Sequence, residues 1–332
     1  MTAFVGHDAA ETAFFQAFAS GRLHHAWLLA GPAGLGKSHF ARRAAAFLLA
    51  PQDERLSSGL AVSQNSPTSQ MIAEDRHPDC HYLRLGAKDD KEARKQADGK
   101  PFDLARNIKV DQIRQLIRRL TMRPSLSDRR AIIIDPADLM ERNAANALLK
   151  SLEEPPPGTF FFLVSHNPGG LLPTIRSRCL TLGFAPLDDG DMAQAIRLAR
   201  PDLGDREVEA LVRIGEGAPG QALAYAGLDM PRIDQIMRQI VKQGDHDQQG
   251  RIALAALMAG KGQKDRFLAF LRYAPGFAAR SARHLRGDRL PHGIAAWREI
   301  SDIAARSIIL NLDPQSVTYR IGGLLADIAP RR

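Results

Sequence analysis

The sequence predicts an α/β domain, a parallel sheet flanked by helices, followed by a small helical domain and a larger all-α domain. Three observations carry this. The apolar run "HAWLLAGP" (25–32) passes through a glycine-rich stretch into the helical pattern "KSHFARRAAAFLLA" (37–50), which is how a parallel strand–loop–helix unit begins. Three more short apolar runs, "CHYLRL" (80–85), "RAIIID" (130–135) and "FFFLVS" (160–165), alternate with helical spacing, as buried parallel strands do. Past residue 186 no strand pattern recurs. The expected boundaries are 1–185 for the α/β domain, 186–228 for a small helical lid and 229–332 for a helical C-terminal domain.

In the first helix after the loop, Phe40, Ala44, Phe47 and Leu48 share one face. Residues 51–76 are rich in Ser, Gln and Asp and read as a long surface insertion. The stretch 86–100, "GAKDDKEARKQADGK", reads as a charged loop or a disordered excursion. From Val110, residues Ile113, Leu116, Ile117 and Leu120 keep helical spacing, and Arg114 and Arg118 fall on another face. The helix "ERNAANALLKSLEE" stops at Pro155-Pro156-Pro157, because proline cannot continue it. Helical segments at 189–199 and 205–215 precede "GEGAPG", and several amphipathic helices fill 230–328.

Of 332 residues, 44% are hydrophobic and 25% charged, as in a globular protein with a real core. The net charge of +8 suits a polyanionic partner such as nucleic acid or nucleotide, and equally an arginine-rich solvated surface. The two cysteines, Cys80 and Cys179, exclude a disulfide framework and a four-cysteine zinc site, and they point to a reducing cytoplasm. The N-terminus lacks a basic leader, and the apolar run "AAAFLLA" is far shorter than the ~18 residues of a membrane helix. A cytoplasmic protein with no membrane partner is therefore expected.

The eight residues Gly31, Pro32, Ala33, Gly34, Leu35, Gly36, Lys37 and Ser38 match the G-x-x-x-x-G-K-S/T phosphate loop. Glycines let successive N–H groups converge on phosphate oxygens, and the following helix aims its positive end there. Lys37 is expected to reach the outer phosphates of ATP or ADP, and the Ser38 hydroxyl to ligate Mg²⁺. Asp135, at the end of an apolar strand, is the expected second metal-holding acid, or else an aspartate that starts a turn. The next residue should polarise the attacking water, but it is Pro136, which has no proton acceptor. Loss of a general base lowers rates by ~10²–10⁴, so binding is expected to survive while hydrolysis is slow. Asp138 is a nearby but poorly offset substitute.

The segments "NAANALLKSLEEPP" (143–156), "LLPTIRSRC" (171–179), "GRLHHAWLLAGPAGLGKS" (21–38), "HPDCHYL" (77–83) and "IKVDQIRQL" (108–116) resemble the clamp-loader branch of the AAA+ P-loop ATPases. Within it they resemble most the delta-prime subunits of bacterial DNA polymerase III. The resemblance covers roughly residues 4–225 and continues to the end as a helical collar. It implies a five-subunit assembly with gamma/tau and delta types, which opens a sliding clamp and places it on primed DNA.

On that resemblance, Arg178 of Ser177-Arg178-Cys179 is an arginine finger reaching a neighbour's ATP; without it, Arg178 is a surface arginine. His166, or a residue adjacent to it, falls at the sensor position after "FFFLVS", and it equally suits a loop histidine. Gln221 stands where many active relatives carry an arginine, and Val5, Gly6 and His7 match a stretch that lies against the adenine. Two departures matter: residues 51–76 lack the cysteines of the family's zinc module, so no zinc is expected, and the phosphate loop is intact, unlike that of some delta-prime subunits.

The expectation is thus a non-motor stator with weak or no hydrolysis, which donates Arg178 in trans. The alternatives are a gamma/tau-type motor and a small-molecule P-loop kinase. The helix carrying Arg114, Arg118 and Arg119, and the arginines at 280, 283, 286 and 289, are candidates for DNA contact.

Overall fold

The computed structural model describes residues 4–56, 59–63, 65–260 and 263–329. The chain divides into two compact units: residues 1–198 with 217–219, and residues 199–216 with 220–332.

The first unit contains α1 (Asp8–Ala19), β1 (Ala26–Ala30), α2 (Lys37–Leu49), α3 (Pro67–Ala73), β2 (Cys80–Leu83), α4 (Asp90–Ala97) and α5 (Val110–Leu120). It continues through β3 (Arg130–Ile134), α6 (Arg142–Glu153), β4 (Thr159–Ser165), α7 (Pro173–Arg176), β5 (Leu180–Gly183) and α8 (Asp189–Ala199). The five strands form one parallel sheet in the order β2-β3-β4-β1-β5. Its strands are apolar without alternation because helices cover both faces. Side chains still alternate in direction. Trp27, Leu29, Ala131, Ile133, Phe162 and Val164 pack on one face with Phe14, Phe40 and Leu48. Leu28, Ile132, Ile134, Phe161 and Leu163 pack on the other with Ile113, Leu116, Leu148 and Ile175. Each such buried aromatic or aliphatic side chain contributes about 1.5–3 kcal/mol.

The four strands and the helices expected from the sequence in this unit are present. The stretch 86–100 is not a featureless loop, however. It holds α4, capped by Asp89, whose carboxylate accepts from the Glu92 N–H at 3.0 Å. Glu92 is buried, accepts from the Asp103 N–H at 2.8 Å and pairs with Lys95, and an antiparallel bridge from Ala87 to Leu104 closes the excursion. The 51–76 insertion is likewise built, since Ser66 caps α3 and Ile72 joins the core.

The second unit is helical among its described residues: α9 (Asp205–Gly215), α10 (Pro219–Tyr225), α11 (Met230–Gln243), α12 (Gln249–Leu257), α13 (Gln263–Arg283), α14 (Arg289–Leu310) and α15 (Pro314–Ala326). Buried Met237, Ile240, Phe270, Ile300 and Ile321 fill its core. The C-terminal end of α14 leaves Ile308, Ile309 and Leu310 exposed. No helix among the described residues is long and apolar enough to cross a membrane.

Candidate nucleotide-binding site

The site lies at the carboxyl ends of three adjacent parallel strands, the place where open α/β sheets bind ligands. Ala30 of β1 sits in register with Ser165 of β4, and Ile134 of β3 with Leu163 of β4. Register alone therefore brings Gly31, Asp135 and His166, each the residue after its strand, to one edge of the sheet.

The phosphate loop requires its glycines. Gly31, Gly34 and Gly36 have φ of +153°, +82° and +82°. A Cβ on Gly31 would stand 2.3 Å from the Phe184 carbonyl oxygen. The N–H groups of Gly34 and Gly36 find no acceptor among the described residues, and α2 starts at Lys37 with no side-chain cap. Unpaired N–H groups at a helix N-terminus fit a polyphosphate. Lys37 is only 2% exposed, and its ammonium donates to the carbonyls of Gly31, at 2.6 Å, and Pro32. Burial pushes its pKa down to about 8, against the opposing pull of Asp135 and Asp138. A phosphate oxygen would offer this buried cation a better partner than two carbonyls. The Ser38 hydroxyl makes no hydrogen bond among the described residues. The fit to a nucleotide with Mg²⁺ is therefore good: Gly31–Ser38 would hold the phosphates, and Ser38 and Asp135 the metal. No group of three His, Cys, Asp or Glu side chains among the described residues is arranged to hold a metal ion by itself.

Asp135 is held by its neighbours. Its N–H donates to the Leu83 carbonyl at 2.9 Å, and one carboxylate oxygen accepts from the Tyr82 hydroxyl at 2.5 Å. Burial, and then this bond to Asp135, push the Tyr82 phenol up to about 12, so it stays a donor. The sequence reading missed Tyr82, because the pairing of β2 with β3 that brings it to Asp135 is set by the fold.

Asp138 has structural work. One oxygen accepts from the Ser165 hydroxyl at 2.6 Å, and the other from the His166 N–H and, at 3.2 Å, the Asn167 N–H. It ties the turn after β3 to the end of β4. The His166 imidazole is held below its ordinary pKa by partial desolvation and then by the Lys37 charge.

The N-terminal stretch comes to the loop as well. The His7 ring nitrogen Nε2 lies 2.9 Å from the Leu35 carbonyl oxygen, with its ring 4.8 Å from that of Phe184. Gln221 belongs to the second unit, where its amide donates to the Tyr225 hydroxyl at 2.7 Å.

Arg178 follows α7 and is one-third exposed. Its guanidinium donates to the Thr174 carbonyl at 2.9 Å and the Ser177 hydroxyl at 3.3 Å, and pairs with Glu153 at 2.5 Å. A partly exposed ion pair of this kind contributes about 0–1 kcal/mol, so releasing it toward another acceptor needs little energy. Cys179 packs against the core beneath, and burial pushes its thiol up to about 12.

The family model described as DNA polymerase III, delta subunit, matches residues 6–188, more than half of the chain. Over 225 residues the chain is 38% identical to DNA polymerase III subunit delta' of Pseudomonas aeruginosa, covering 66% of this chain and 62% of that protein. It is 29% identical over 207 residues to subunit delta' of Escherichia coli, covering 62% of this chain and 56% of that one. It is also 28% identical over 224 residues to subunit tau of Escherichia coli, covering 66% of this chain and 31% of that protein. The chain thus spans little more than half the length of the two delta' relatives. The phosphate loop, Asp135, His166 and Arg178 all lie within the matched segment, and the chain belongs to the family of DNA polymerase III delta subunits.

Proposed function

We propose that this protein is a delta-prime-like stator of the bacterial DNA polymerase III clamp loader. It binds ATP or ADP with Mg²⁺ through Gly31–Ser38 and Asp135, with His166 near the terminal phosphate, and turns it over weakly or not at all. It donates Arg178 to the nucleotide of a neighbouring gamma/tau-type ATPase, within a hetero-pentamer that also contains a delta type. That assembly loads the sliding clamp onto primed DNA in the cytoplasm, at the replisome.

One observation carries this reading: an intact phosphate loop faces a strand end where the water-polarising acid is missing. Pro136 occupies its place, and Asp138, the nearby carboxylate, is engaged with Ser165, His166 and Asn167. A general base is worth ~10²–10⁴ in rate, so the difference between binding and turnover is measurable. The exposed Ile308, Ile309 and Leu310 support association through the helical C-terminal region.

The test reconstitutes the chain with its gamma/tau-type and delta-type partners. Arg178→Ala is expected to lower the DNA-stimulated ATPase of the complex by at least ~10-fold while assembly persists. An unchanged rate would remove the finger assignment. The alternative, a gamma/tau-type motor, requires the isolated chain to hydrolyse ATP in a Lys37-dependent way.

A further inference from the structure

The second unit carries a basic groove that the nucleotide site does not use. It occupies about 600 Å³ along the exposed face of α11 and is lined by four cations, Arg213, Arg232, Arg238 and Lys242. Three glutamines, Gln235, Gln239 and Gln243, recur every fourth residue along the same wall. Its one lining carboxylate, Asp234, is only 1% exposed.

Asp234 organises the cations. One of its oxygens accepts from the buried Tyr273 hydroxyl at 2.6 Å. The other faces the Nε of Arg238 at 2.8 Å and of Arg213 at 3.5 Å. Both guanidiniums are thus held by their Nε edges, and their outer nitrogens have no second acidic partner among the described residues. Arg232 and Lys242 are exposed and form no ion pair among those residues. Four cations face one carboxylate, and Arg232 to Lys242 span ~15 Å of helix.

We infer that this face binds the phosphodiester backbone of duplex DNA. Planar guanidinium forks anchored from behind suit phosphate oxygens, and glutamine amides add sequence-independent bonds to phosphate and sugar. An acidic peptide would need an apolar anchor pocket, and the lining offers only Pro231. Single strands are usually held by stacking on aromatic side chains, and the groove has none.

The test measures binding of a short fluorescent duplex of mixed sequence to the full chain across a salt series. Arg232→Glu/Lys242→Glu is compared with Arg298→Glu/Arg306→Glu, an equal charge change on exposed positions of α14. Equal melting temperatures establish that both variants are folded. The groove variant is expected to bind at least ~10-fold more weakly, with its log–log salt slope reduced by about 2, while the control binds as the parent does. Equal weakening of both variants, or of neither, overturns the assignment. So does displacement of the duplex by a polyglutamate peptide at matched charge, or groove-dependent binding of single strands in preference to duplex.

Discussion

At Gly31 the backbone passes so close to Phe184 that one added methyl has nowhere to go: its φ is +153°, and a Cβ would meet the carbonyl oxygen at 2.3 Å. Strain of this kind costs about 1–3 kcal/mol. Gly31→Ala is expected to lower the melting temperature and to weaken nucleotide binding together, by calorimetry and fluorescent-nucleotide titration. Tyr82→Phe separates two roles of Asp135. It removes the hydroxyl that donates to the carboxylate but leaves the ring under Arg42, 4.4 Å away. A freed carboxylate oxygen should tighten Mg²⁺-dependent nucleotide binding by a few-fold; no change on a Mg²⁺ titration would mean that Asp135 does not face the metal. The loop and Asp135 were legible in the sequence because motif and strand context coincide. Tyr82 was not, because nothing in a sequence tells which strands become neighbours.

Among the elements, the turn after α5 depends on one carboxylate. Asp79, 2% exposed, accepts from the N–H groups of Ser125, Leu126 and Ser127 at 2.6, 2.8 and 3.0 Å. Burial alone would raise its pKa, but the three backbone bonds outweigh it, and the net shift is downward from 3.8. A depressed carboxylate contributes stability above its unfolded pKa, and that contribution is lost as pH falls through the lower folded value. Asp79→Asn should therefore destabilise by about 2 kcal/mol at neutral pH, from donors left without an acceptor. The gap between variant and parent should close in acid below pH ~4, as read by denaturant melts across pH. Elements with an apolar stripe, such as α5 and α6, were legible in the sequence; others were not. In β5 only Leu182 is buried, so the strand leaves no apolar run. In α4 helical order comes from the Asp89 cap and the buried Glu92, which a charge-rich stretch conceals.

For the whole molecule, nucleotide chemistry and assembly are expected to be separable. Ile309, 67% exposed on α14, is expected to be dispensable to the fold of the isolated chain. Ile309→Glu is expected to leave its melting temperature within about 1 °C and nucleotide binding intact, since exposed substitutions change stability by at most ~0.5 kcal/mol. The same change should abolish co-elution with clamp-loader partners on size-exclusion chromatography. Undiminished co-elution would place the subunit interface elsewhere. The protein is expected to hold a nucleotide while hydrolysing it weakly or not at all. The most direct test measures nucleotide binding and steady-state ATP hydrolysis on one purified sample, with Lys37→Ala as control. Mg²⁺-dependent binding is expected, which the control weakens at least ~10-fold because charge-assisted contacts to phosphate are worth ~1.5–3 kcal/mol, with weak turnover or none. Sustained turnover that Lys37→Ala abolishes would contradict this expectation and make the chain a motor.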